Sequence, residues 1–194
     1  DGSAEAGRSE ITLNIQEGNI MAKLRAVECR EFINAVIAKS EQVGVAVSIA
    51  VVGPEGHLIA LERMDDAGFI TPEIAWSKAY TAVAFRALSP RFPDGLAIQK
   101  WTEQRNPQMM VNAAVFTGGR IAVSGGGAPV FKGNELVGAY GLSGGTSYQD
   151  ELIAVHARAA VGWAHKAETD TTIQQVKDHV NEIYAKVGLG DRKL

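Results

Sequence analysis

Apolar and polar residues alternate along this chain with two different periods, and the switches between them mark out the elements. From Met21 to Gln42, Cys29, Phe32, Ile33, Val36 and Ile37 recur at helical spacing among Lys, Arg and Glu, which predicts a first helix. The period then drops to two. Val45, Val47, Ile49 and Val51 fall on one face and Ala46, Ser48, Ala50 and Val52 on the other, as in a strand whose small face can lie under a packed helix. The turn signal Gly53-Pro54-Glu55-Gly56 and the run 57–64 predict the returning strand of a hairpin. Thr71, Pro72 and Glu73 then open an Ala-rich second helix over 71–88. A shorter helix over 96–104 ends before Asn106-Pro107.

Strand-forming runs return at 114–119, 120–126, 128–133 and 135–145, with Lys132-Gly133-Asn134 as a hairpin turn between the last two. Thr146 and Gln149 form a capping-box pattern that opens a helix over 147–166. A last helix over 171–187 has a clean apolar stripe of Ile173, Val176, Val180, Ile183, Tyr184 and Val187, which predicts burial against its own domain or a partner subunit. This order of elements implies an α+β fold, a central antiparallel sheet of about five strands with helices packed on it. The two hairpins argue against a doubly wound parallel sheet.

Length and composition narrow the picture. The 194 residues divide into a flexible N-terminal extension over 1–20, one domain over 21–168 and a C-terminal helical extension over 169–194. Apolar residues at 46% and charged residues at 21% are ordinary for a globular protein, and a net charge of −3 gives no reason to expect nucleic acid. The longest apolar runs are far too short to cross a bilayer, so no membrane span is expected. The single cysteine, Cys29, excludes an internal disulfide and any all-cysteine metal site. The cytoplasm is the default compartment, with secretion left open.

Ten of the twenty-one glycines lie between Gly118 and Thr146. They do not form a phosphate cradle, because the helix they feed starts with Asp150 and Glu151 where an anion would sit. Apolar strand residues separate them too regularly for a linker. Two readings remain for Gly125, Gly126 and Gly127: bulges and turns at positive φ, or a bare backbone wall bordering a flat or anionic ligand.

The run "SGGGAPVFKGNELVGAYGLSGGTSYQDELIA" resembles the signature of the GlcG/HbpS-like family. "VSIAVVGPEGHLIALERMDDA" is similar to that family's first hairpin, and "SKAYTAVAF" to its lysine-bearing helix, so the likeness spans roughly Met21 to Lys166. The resemblance implies a profilin-like three-layer domain that assembles into homo-oligomers and binds a small-molecule ligand, with haem as the cofactor and haem degradation among the family's activities. Its haem-binding members place a ligating histidine on the first helix, where this chain has none.

Several residues could carry chemistry. Lys78 matches the family's lysine, and is read either as a snorkelling surface lysine or as an ammonium turned toward a pocket. Arg63 and Asp66, at the end of the hairpin, could clamp a carboxylate and act as a general base, or form a structural salt bridge. Thr81, one turn beyond Lys78, and Glu151, facing the glycines, join Gly125–Gly127 as candidate ligand contacts. His156, on an apolar helical face, is either a packing histidine or an axial ligand to haem iron, while His57 is read as a solvated turn residue. Cys29 is read as a small buried hydrophobe, with thiolate ligation as the alternative. No histidine has partners at metal-ligand spacing, so no protein-bound metal site is expected. Three functions stay open: a haem-binding protein, a cofactor-free enzyme acting on a carboxylate, keto or aromatic acid through Lys78, Arg63 and Asp66, or a non-catalytic scaffold or sensor whose oligomeric surface matters most.

Overall fold

In the structure, a computed structural model, residues 23–88, 94–105 and 107–164 are described. The N-terminal extension and the 171–187 helix lie outside the described residues.

Helix α1 (Ala26–Val43) leads into strands β1 (Ser48–Val52) and β2 (Leu58–Arg63), then into helices α2 (Thr71–Leu88), α3 (Gly95–Arg105) and α4 (Pro107–Phe116). Strands β3 (Gly127–Lys132) and β4 (Glu135–Ser143) and helix α5 (Ser147–Ala160) complete the order. All strand pairs are antiparallel, in the spatial order β2-β1-β4-β3. The α+β class and the antiparallel sheet are as expected, with four strands among the described residues.

The strand periodicity explains the layers. Ile49 and Val51 of β1 and Tyr140 and Leu142 of β4 point into one core with α1, α5 and Trp163, where the rings of Phe32 and Trp163 stack at 4.6 Å. On the other face the small residues Ala50, Val52, Ala139 and Gly141 receive α2 through Ala79, Ala82 and Val83. Gly141 is required there, because a Cβ would run into the backbone of Ala75 and Ala79. Local caps hold as predicted at α5, where Thr146 N–H donates to Gln149 Oε1 (2.9 Å) and Gln149 N–H to Thr146 Oγ1 (3.3 Å). Gly44 ends α1 in the left-handed region at φ 72°.

Two expectations fail between α3 and β3. The run 114–119 is the end of α4 and its closing turn, and 120–126 is no regular strand. Pro107 does more than end one helix. It opens the next, at the position where its missing N–H costs nothing. In 120–126 the backbone donors go to side chains instead of a neighbouring strand: Ala122 N–H to Thr81 Oγ1 (2.9 Å) and Gly125 N–H to Gln99 Oε1 (3.3 Å). Helix α5 also stops earlier than the expected 166, and Ala164 C=O accepts from Phe131 N–H at the free edge of β3.

Candidate functional site

Most of the sequence-picked residues meet at one junction, where α2, the glycine turn before β3 and the start of α5 converge. Gly127 has no side chain, so the turn lies directly against α2: a Cβ there would stand 3.0 Å from Lys78 C=O and 3.2 Å from Lys78 Cβ. Lys78 is thereby buried, and its ammonium donates to Asp150 Oδ2 at 2.7 Å, with side-chain exposures of 3% and 1%. Asp150 Oδ1 accepts from Gly145 N–H at 2.9 Å, within the first turns of α5. Burial still pushes the Asp150 carboxyl above its ordinary range, against the opposing pull of Lys78 and the Gly145 N–H.

Glu151 completes the junction. Its Oε2 accepts from Gly126 N–H at 2.7 Å. Gly126 sits at φ 95°, a conformation open to glycine, with the Asp150 side chain packed where a Cβ would go. Burial first and the charge of Asp94 second push the Glu151 carboxyl up to about 8, against the Gly126 N–H, Arg158 and Lys78. Asp94 starts α3 by accepting from Ala97 N–H (2.8 Å), and Arg158, two turns beyond Glu151 on α5, donates to Tyr140 Oη (3.3 Å). Burial holds the Tyr140 phenol protonated well above its usual range, despite the Arg158 charge. Burial explains Glu151: the pull of Lys78, which is bonded to Asp150, and of Arg158, which is bonded to Tyr140, does not offset its desolvation and the charge of Asp94. The cluster pushes the Asp150 and Glu151 carboxyls upward and pairs the lysine with Asp150.

Lys78, Thr81, Gly125, Gly126, Gly127 and Glu151 are therefore brought together. Thr81 donates to Ser77 C=O (2.7 Å) and accepts from Ala122 N–H, which ties α2 to the glycine turn. The close approach expected at the glycines is present, and what approaches is the protein's own chain: Ser147 C=O at Gly125, Asp150 at Gly126, Lys78 at Gly127. Arg63 and Asp66 stand apart, exposed at the end of β2 and in the turn after it, with Asp66 at φ 66°. Among the described residues no ion pair joins either of them to Lys78. His156 is half-buried on α5 and His57 is exposed after the β1–β2 turn. Cys29 is fully buried, as a small core hydrophobe is, and burial pushes its thiol up to about 11.

The sequence reading missed three members. Arg158 was findable, since it lies on the same helical face as Glu151. Asp94 lies in a Pro-Asp-Gly stretch whose composition signals only a turn, and Tyr140 in a strand run where an aromatic is ordinary.

Fold and junction together define a three-layer α+β domain class, and the comparisons identify the family. Residues 24–159 match the family described as haem degrading protein HbpS-like, and the chain belongs to it. An uncharacterised 15.0 kDa protein from the dhaT-dhaS intergenic region of Citrobacter freundii is 33% identical over 134 residues, covering 69% of this chain and 89% of that protein. Protein GlcG of Escherichia coli is 33% identical over 128 residues, covering 62% of this chain and 84% of GlcG. Among solved structures, a PduOC:heme complex superposes with a TM-score of 0.65 at 25% identity, over 75% of this chain and 99% of that one. No helix among the described residues is long and apolar enough to cross a membrane.

Proposed function

We propose that this protein binds haem as its small-molecule ligand. The observation that supports the reading is the likeness, over nearly the whole length of that chain, to a structure described as a haem complex, within a family described as haem-degrading. Haem supplies an iron that takes axial ligands, and two propionates that call for cations. The donor set of this chain fits such a group. Cys29 is fully buried in the core, and His57 and His156 are the imidazoles among the described residues, both with accessible surface. Titrating the purified protein with haemin should give a Soret shift that saturates at one ligand per chain. A featureless spectrum at stoichiometric haemin would sink the reading. No arrangement among the described residues favours the alternative of a cofactor-free acid-processing enzyme, since Lys78 is paired with Asp150 and Arg63 and Asp66 lie elsewhere.

We further propose a homo-oligomer that uses β2. This strand borders the sheet, and Leu58, Ile59 and Leu61 are 40%, 36% and 41% exposed, with Ile59 in the bulge between the Val52–Leu58 and Val51–Ala60 pairs. A bare apolar edge of this kind invites pairing with a second copy across a two-fold axis. Light scattering should give a multiple of the 20.6 kDa chain mass, and Ile59→Lys combined with Leu61→Lys should reduce it to one chain. A wild-type monomer, or an unchanged mass in the variant, rejects the interface.

A further inference from the structure

We infer that the outer face of α4 is the dock for residues 171–187 of the same chain, whose apolar stripe follows the domain in the sequence. This dock is independent of the haem reading.

Helix α4 has the surface of a helix with a neighbour. Its ten residues include no charge, and Met110 is the buried one among them. Val111, Val115 and Phe116 are instead 56%, 71% and 84% exposed. Val111 and Val115 lie one turn apart, and Phe116 extends their patch at the end of the helix. The polar side chains of α4, Gln108 and Asn112, hydrogen-bond each other at 3.2 Å. A helix that ends its packing in water carries charges on its outer face, whereas a contiguous apolar patch there marks a contact surface.

The place where the chain leaves the domain selects the occupant. Ala164 C=O accepts from Phe131 N–H at 2.8 Å, so the chain departs beside β3. Helix α3 packs on β3 and α4 packs on α3. The exposed leucines of β2 lie at the opposite edge of the sheet, since the strand order is β2-β1-β4-β3. Six residues, 165–170, separate Ala164 from the segment. Extended, they span about 20 Å. Two packing steps of about 8–10 Å, from β3 to α3 and from α3 to α4, fall within that reach. The chemistry matches as well. At helical spacing Ile173, Val176, Val180 and Ile183 share one side, and Asp178, Glu182 and Lys186 fall on the other, so the stripe meets the α4 valines without burying a charge.

Hydrogen–deuterium exchange of the full-length chain, read by mass spectrometry, tests the dock from both sides. In the wild type, peptides from 171–187 should exchange slowly. Val111→Asp combined with Val115→Asp should speed their exchange at least about tenfold, while α1, β4 and α5 keep wild-type rates and show that the domain is folded. Val180→Asp combined with Ile183→Asp should in turn speed exchange in α4, and this pair leaves the domain itself untouched. Both effects should be the same in dilute and concentrated protein. Protection of 171–187 that appears only at high concentration would give the stripe to a second copy and overturn docking within one chain. Fast exchange of 171–187 in the wild type, or protection that survives the α4 substitutions, rejects the dock.

Discussion

Lys78→Met should destabilise the protein by about 3–5 kcal/mol at pH 7, the usual cost of removing one partner from a buried ion pair. The substitution preserves most of the aliphatic volume under α2, so the loss reports on charge. Asp150 would be left with a side chain only 1% exposed, retaining the Gly145 N–H and its place near the α5 N-terminus but losing the 2.7 Å contact to the ammonium. The penalty has a pH sense. Burial already holds the Asp150 carboxyl above its ordinary value of 3.8, and Lys78 pulls it down, so removing Lys78 raises it further. With the folded value above the unfolded one, the folded state keeps its proton to higher pH, and stability falls as pH rises between the two. The variant should therefore suffer least in acid. Replacing both partners, Lys78→Met with Asp150→Leu, should recover part of the loss because no charge remains to be buried. Urea unfolding followed by circular dichroism at pH 5 and pH 7 decides the matter. A loss under about 1 kcal/mol at pH 7 would mean the pair is solvated in solution.

That pair also marks the limit of what the sequence discloses. Elements set by local chemistry were legible: the apolar stripe of α1, the Gly53–Gly56 turn, the Thr71-Pro72 helix start and the Thr146/Gln149 capping box are each decided within a few residues. The layer order was legible as well, since alternation of large and small residues in β1 determines which face can admit α2. The α3–α4 region was not. A short apolar run ending in Val115-Phe116 suits strand or helix equally, and only the fate of its backbone donors separates them. Lys78 and Asp150 lie seventy-two positions apart, and each has a sufficient local explanation, a snorkelling lysine and a helix-dipole carboxylate. Their meeting depends on β4 delivering α5 beside α2, which is topology. The glycines pose the same difficulty. Absence of Cβ permits close approach, but the sequence does not distinguish approach by a ligand from approach by Ser147, Asp150 and Lys78.

Glu151→Gln should flatten the pH dependence of stability, and at pH 8 the variant should be at least as stable as the wild type. Burial and the charge of Asp94 push the wild-type carboxyl up to about 8 in the folded state, from an ordinary value of 4.5 in the unfolded one. Between those values the folded state holds a proton that the unfolded state has released. Raising the pH therefore favours unfolding, by up to about 1.4 kcal/mol per pH unit from this group. Below about 4.5 both states are protonated and the group contributes no slope; above about 8 both are ionised and the loss is complete. Glutamine presents a carbonyl that can still accept from Gly126 N–H, so the glycine turn keeps its anchor while the ionisation disappears. The charges around the position stay in place: Asp94 at the start of α3, Arg158 on the same helix, Lys78 from α2. Any remaining slope then belongs to other groups, Asp150 among them. Thermal melts of both proteins from pH 4.5 to 9 should diverge steadily up to about pH 8 and run parallel beyond it. Curves that stay parallel throughout would mean that Glu151 ionises normally, which would place water inside the junction and remove its buried character.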